Sequence, residues 1–461
     1  MSNVGSLDAA HLERLLSVGD EVVAQATKAG ATVAEASIRD GSHLSTKVRM
    51  RAPELVEEAG SKSLGLRVML GQQVAVTYTS DLSPAGQARL VEDAMELARL
   101  SQPDPFAGPP DPALLASGPH PDLALFDPTM DALGAEEALR RATAGEAAAL
   151  DADARVSNSD GATFTRASGA SALVTSGGFR GASRGTYASL VVNPVVDDEG
   201  GKKRTGYHWD AKRRLADLGA PEDVGVEAAR RTLRKLGAGK IDSAEMPVVF
   251  DPDAGRAIIG LLAGCVLGSS IWRKSSYLLG RRGTPVASVL VTLVDDPTIP
   301  GAPGSRPFDG EGLRARKNVV VEAGTLRTYL MDSYAARKLE SAPTASASRG
   351  ASGGVGPTTS NFVLQPGDTT RAALLADTTR GLYVTEMMGF GFNGVTGDFS
   401  RGAAGFLIED GELTQPVAEV TISLNLDAML KGIDAVADDL DLRTATAAPT
   451  FRVASMTVAG R

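Results

Sequence analysis

The chain has 461 residues, of which 43% are hydrophobic and 22% charged, and its formal net charge is −9. At roughly 150 residues per domain, this length and composition predict two or three packed domains and exclude global disorder. The acidic balance excludes nucleic acid and anionic membrane as principal partners, because both need clustered Lys and Arg.

The N-terminal stretch Met1–Ala10 has no basic segment followed by an apolar run, so no secretory leader is expected. Leu7–Ala29 reads as an amphipathic helix, with Leu12, Leu15, Leu16, Val22 and Val23 at helical spacing; Gly19 interrupts the stripe and Gly30 closes it. Val33–Arg39 reads as a strand. Gly65–Leu70 and Gln73–Thr79 read as a hairpin turned at Gly71-Gln72. Ser83 and Pro84 then predict a capped helix to about Leu100. Gln102–Pro121, rich in Pro and Asp, is a connector. Further on, Ala135–Leu150 and Pro221–Leu236 read as helices. Between them Arg155–Asn158, Ala162–Ala167, Ala170–Ser176 and Tyr187–Val192 read as strands.

From Met246 onward strands dominate: Pro247–Phe250, Ser288–Val294, Asn318–Glu322, Thr325–Leu330, Asn361–Leu364, Gly381–Glu386 and Gly405–Glu409. Only Asp253–Leu267 and Ala372–Thr379 have helical character there. Helices and strands come in runs, not in alternating βα units, so the fold class is α+β: a mixed N-terminal region followed by a β-rich C-terminal domain. The expected division is 1–240, with segments of about 1–118 and 119–240, and 241–461. No uninterrupted apolar stretch reaches the ~20 residues of a spanning helix. Cys265 is the single cysteine, so no internal disulfide can form, and a reducing, cytoplasmic compartment is expected.

Three motif matches carry little chemistry. Gly389–Gly394 spells G-x-G-x-x-G, but a turn and a strand follow where a dinucleotide site needs a helix. Gly181–Gly185 and Gly350–Gly354 spell G-x-S-x-G, with neither the following helix nor the downstream His of a nucleophile elbow. Cys265 lies in an apolar helical run, and burial makes a thiol inert. The four histidines, His11, His43, His120 and His208, are too far apart for any H-x-x-x-H pair. Acidic clusters at Asp295-Asp296, at Asp309 with Glu311, and at Glu409-Asp410 have the oxygen ligands of a Mg²⁺ or Ca²⁺ site, but Asp also starts turns and caps helices; Glu409-Asp410, followed by Gly411, reads as a hairpin turn, while Asp309 and Glu311 stay open.

An ordered set of segments resembles the TldD/PmbA family, closest to its PmbA (TldE) branch. In the C-terminal half these are Val294–Pro297, Gly304–Gly312, Tyr329–Arg337, Asn393–Gly402, Ile408–Gly411, Pro416-Val417 and Thr457–Gly460. The N-terminal half adds Gly65–Val68, Thr79–Ser83 and Pro103–Gly108. The resemblance implies a two-subunit protease. Its TldD-like chain binds zinc through H-E-x-x-x-H on a helix and a cysteine near the C-terminus, with the glutamate serving as base to a zinc-bound water. Alignment to that motif puts its positions at Gly260, Leu261 and Cys265. The last-ligand stretch falls on Leu442–Pro449, which has no cysteine.

The resemblance therefore implies a non-catalytic subunit with no cofactor of its own, zinc being held by a TldD-like partner. The pair would enclose a chamber for unfolded proteins and peptides, peptide-antibiotic precursors included. Ser305, Arg306, Asp309 and Glu311, with Asn393, Thr396, Asp398 and Arg401, are the expected cavity or interface residues. Two other readings stand beside this one: a stand-alone homodimeric peptide-binding or scaffold protein, and a hydrolase with a site of its own.

Overall fold

A computed structural model describes residues 7–461; Met1–Ser6, part of the N-terminal stretch considered above, lie outside the described residues. The N-terminal half contains α1 (Ala9–Lys28), β1 (Val33–Arg49), β2 (Ala52–Leu70), β3 (Gln73–Thr79), α2 (Pro84–Leu100), α3 (Pro128–Asp131), α4 (Ala135–Asp151), β4 (Asn158–Thr175), β5 (Arg180–Asp197), β6 (Lys203–Thr205), β7 (His208–Lys212) and α5 (Pro221–Leu233). Local chemistry sets the ends. Ser83 Oγ accepts from Gly86 N–H at 3.2 Å to start α2, and Gly71 turns the β2–β3 hairpin with φ of +61°.

These strands form one antiparallel sheet ordered β3-β2-β1-β4-β5-β6, with β7 also paired to β5. The strand runs expected as short are long here. Val33–Arg39 is the start of a 17-residue strand, and Ala162–Ala167 and Ala170–Ser176 merge into β4. Arg155–Ser157 has no strand, which begins at Asn158. Length escaped the sequence because the buried face of β1 and β4 is apolar at both ends and polar in the middle. Ala34, Ala36, Ile38, Ala170, Ala172 and Val174 pack under α1 and α2, while Leu44, Val48, Ala162 and Phe164 pack under α4 and α5. Between them Arg166 donates to Ser42 Oγ at 3.1 Å, and His11 meets Asp40 at 3.4 Å. Gly19 also finds its reason: a Cβ there would stand 2.6 Å from Val174 Cγ2, so α1 packs directly on β4.

The C-terminal half contains β8 (Ala244–Phe250), α6 (Pro252–Cys265), α7 (Gly268–Trp272), β9 (Leu293–Asp295), β10 (Asn318–Glu322), β11 (Thr325–Leu326), α8 (Ser333–Lys338), β12 (Ala347–Arg349), β13 (Val355–Pro357), β14 (Phe362–Leu364), α9 (Arg371–Ala376), β15 (Arg380–Met388), β16 (Asp398–Glu409), β17 (Glu412–Asn425), α10 (Leu426–Lys431), β18 (Ile433–Val436), β19 (Thr446–Ala447) and β20 (Phe451–Ala459). One sheet runs β17-β16-β15-β8-β20-β18, and β17 also pairs with β20, so five strands close on themselves. A second sheet runs β11-β10-β9-β14-β19. The buried face of α6, Ile258, Ile259 and Leu262, joins both sheets in one core with Phe250, Phe362, Val384 and Phe451. Asp410 and Gly411, both at positive φ, make the expected two-residue β16–β17 turn. Ser288–Val294 is mostly turn, with strand only from Leu293. The α+β class and the strand-rich C-terminal region are as the sequence predicts.

The two halves meet through buried charge. The Glu35 carboxylate of β1 is 1% exposed and accepts from Arg67 of β2 at 3.0 Å and from Arg349 of β12 at 2.6 Å. Arg349 also donates to Gly310 O and Gly353 O, and Gly65 lies so close to this hairpin that a Cβ would stand 2.7 Å from Gly353 N. Glu35→Ala leaves two buried guanidinium groups without their carboxylate. It should cost about 3–5 kcal/mol, read as a lowered urea midpoint; a loss under ~1 kcal/mol, the range of an exposed pair, contradicts this role.

Candidate functional site

Helix α6 is started by Asp251, whose Oδ1 accepts from Ala254 N–H at 2.8 Å, with Pro252 in the first turn. One face enters the core. The other carries Arg256, Ala257, Gly260 and Gly264, and Gly260 opens on empty space. Leu261 packs its side chain against the core. Cys265 is buried, and that burial pushes its thiol up to about 11. A protonated thiol is a poor ligand. The residues at the three motif positions therefore do not fit a zinc ion. Nearby Thr446-Ala447, as β19, runs beside α6 without a sulfur or imidazole.

Beside this face lies a cavity of about 570 Å³, lined among others by Tyr207, Arg256, Met388, Arg401 and Thr444. Asp253, at its edge, is approached by three guanidinium groups: Arg231 of α5 at 3.3 Å, Arg256 at 3.4 Å and Arg443 at 3.9 Å. Arg443 also lies 4.8 Å over the Trp209 ring and donates to Trp209 O at 2.7 Å. Tyr207 lines the cavity, and His208 follows it. Burial, then the charges of Arg231 and Arg443, lower it to about 4, so it is neutral at physiological pH. Glu227 and Asp441 also pair with Arg231 and Arg443, so the charges beside α6 form an ion-pair network. Sequence reading missed Arg256, although its spacing of one turn before Gly260 puts both on one helix face. Tyr207, Trp209 and Arg443 gave no local signal.

The other expected residues separate into two groups. Ser305, Arg306, Asp309 and Glu311 lie inside the C-terminal domain. Ser305 Oγ accepts from Asn361 Nδ2 at 2.9 Å, and burial lowers the Arg306 guanidinium between Asp309 and Asp295. Asp309 accepts from the backbone N–H groups of Glu311, Leu313 and Ala347 at 2.9–3.0 Å. Glu311 accepts from Ser333 N–H and Oγ–H, and faces a cavity of about 300 Å³ with Arg67, Trp272 and Tyr334. These carboxylates hold loops together through backbone donors. In the second group Asn393, Thr396 and Asp398 tie their own loop: Asn393 Oδ1 accepts from Val395 N–H at 3.0 Å, and Thr396 Oγ–H donates to Asp398 at 2.6 Å. Phe390, 97% exposed, projects from that segment. Arg401 alone of the second group lines the α6 cavity. No helix follows Gly389–Gly394; Gly181–Gly185 lies within β5, and Gly350–Gly354 is the β12–β13 turn.

Three family models match in order along the chain: PmbA/TldA metallopeptidase domain 1 over residues 34–98, the central domain over 129–236 and the C-terminal domain over 243–460. The chain belongs to the PmbA/TldD metallopeptidase family. Within it the likeness is to the PmbA side. Metalloprotease PmbA of Escherichia coli O157:H7 is 34% identical over 93% of this chain and 92% of its own length. The Haemophilus influenzae PmbA homolog is 36% identical, over 94% of each. The TldD homolog of Haemophilus influenzae, in contrast, aligns over 47% of this chain. Among solved structures, a Bacteroides thetaiotaomicron protein described as a candidate modulator of DNA gyrase matches with a TM-score of 0.90 at 27% identity, covering 96% of this chain and 98% of its own. TldE from Thermococcus kodakarensis matches with a TM-score of 0.86 at 21% identity, covering 96% and 100%, and so shares the fold.

Burial, with the neighbouring Asp309 charge second, pushes Glu311 up to about 7. An unfolded glutamate titrates near 4.3, so between these values the folded chain holds the extra proton. The linked stability is present at about pH 4 and is lost as pH rises through about 7. Glu311→Gln keeps an acceptor for Ser333 and cannot ionise. Relative to the unmodified chain it should gain stability, by roughly 2–3 kcal/mol, between pH 5 and pH 8 in urea unfolding. A difference that is flat with pH contradicts an ionisable Glu311 in the fold.

Proposed function

We propose that this chain is the non-catalytic subunit of a two-chain PmbA/TldD-type zinc peptidase, paired with a TldD-like chain that carries H-E-x-x-x-H. The observation that carries the reading is the α6 face. Gly260 has no side chain to ligate, Leu261 cannot move a proton, and Cys265 is turned into the core as a thiol. The chain keeps the family's fold around a helix without its chemistry, so zinc and the water-activating carboxylate belong to the partner.

Unfolded proteins and peptides, antibiotic precursors among them, are the proposed substrates. Strand β15 supports this. Its pairing with β8 ends at Val384, whereas its pairing with β16 continues to Met388, so Thr385–Met388 borders the α6 cavity with one edge unpaired by β8. An extended peptide satisfies such an edge through its main chain. The lone buried cysteine is compatible with the cytoplasm, and among the described residues no helix is long and apolar enough to cross a membrane.

The purified chain should carry no stoichiometric zinc and leave casein intact. Bait pull-down from an extract of its own cells should recover a similar-sized chain with H-E-x-x-x-H, and mixing the two should restore proteolysis. Stoichiometric zinc with activity in this chain alone overturns the reading in favour of a self-sufficient hydrolase. Recovery of only further copies of this chain favours the homodimeric binding protein.

A further inference from the structure

Two guanidinium groups in the α6 cavity make no hydrogen bond to the protein among the described residues. The Nε atoms of Arg256 and Arg401 are both shielded from solvent and have no hydrogen-bond acceptor. Among the described residues neither side chain donates a hydrogen bond at all. The Arg256 Nε approaches Asp253 Oδ1 at 3.4 Å without hydrogen-bond geometry, sharing that carboxylate with Arg231 and Arg443, and the guanidinium lies 5.8 Å over the Trp209 ring. Arg401 has only the face of Phe399 at 5.8 Å. The other acid lining the cavity, Glu386, is taken by Lys235. A guanidinium cannot shed its proton, and a buried N–H without an acceptor carries its full desolvation cost. An anion with planar paired oxygens removes that cost, because its geometry matches the guanidinium fork.

The geometry points to a carboxylate-binding subsite in this cavity, with Arg256 and Arg401 as the clamp and a peptide carboxylate as the ligand. The assignment rests on the peptide reading given above and adds to it what the metal-free side of the pair recognises. Ala257, Met387 and Met388 give the cavity an apolar wall beside the charges, which suits a carboxylate attached to a small apolar residue. Its volume of about 570 Å³ is that of a small-ligand pocket and accepts the end of a chain. A carboxylate can come from the peptide C-terminus or from an Asp or Glu side chain, and the two sources share this chemistry.

The test uses the full-length chain alone, in metal-free buffer, with short N-terminally fluorescein-labelled Ala/Val peptides read by anisotropy. The free acid should bind about tenfold more tightly than its C-terminal amide at low salt, and the gap should narrow as salt is raised. Arg256→Gln and Arg401→Gln should each close the gap, with Arg401→Lys keeping part of it. An amidated peptide containing Glu, compared with its Gln counterpart, identifies the source: recovered affinity means side-chain carboxylates are taken as well, and no recovery means the chain end is required. Equal binding of acid and amide by the unmodified chain, or no binding of either, overturns the subsite without relying on any variant. A preference that persists in both Gln variants also overturns it. Partner recovery is scored separately. Equal binding with the partner recovered sinks the clamp alone, and a preference with no partner sinks the pairing alone.

Discussion

The Glu35 carboxylate joins the two halves of the molecule. It sits between Arg67 of its own sheet and Arg349 of the C-terminal domain, with almost no solvent contact. A buried charge is tolerated only when it is fully answered, and here each partner is answered too. Arg349 carries the linkage onward to Gly310 O and Gly353 O, next to the Asp309 loop. Asp309 then holds Ala347, and Glu311 holds Ser333 at the start of α8. The acids that resemble a cation cluster on paper are links in this chain, each satisfied by backbone or hydroxyl donors.

A second junction lies at Asp253. Arg231 reaches it from α5, Arg256 from α6 and Arg443 from the segment before β19. This gathers three guanidinium groups beside α6, with Glu227 and Asp441 also answering Arg231 and Arg443. The two guanidinium groups of the adjoining cavity that have no hydrogen-bond acceptor, Arg256 and Arg401, favour an oxyanion over a cation. The α6 face thus keeps a ligand-sized hollow without the donor set of a metal centre.

Much of the local structure was legible in the residues. Ser83 and Asp251 start helices, and Gly71 and the Asp410-Gly411 pair turn hairpins, because capping and positive φ are properties of single residues. The long strands were not legible. The polar centre of β1 and β4, where Ser42 and Arg166 meet, reads as a break although the hydrogen-bond ladder continues through it. Ser288–Leu290 failed in the opposite sense, since β-branched and apolar residues also occur in turns.

The sequence by itself determined the helix starts, the hairpin turns and the family, and it showed that Gly260, Leu261 and Cys265 offer no imidazole or carboxylate and that Leu442–Pro449 has no cysteine. These follow from residue identity and spacing. Only the tertiary structure decided what fills that region. Arg256 and Arg401 are far apart in the chain and belong to a helix and a strand whose packing brings them to one cavity. Their lack of hydrogen-bond acceptors is a property of the whole surrounding shell, and no local pattern records it.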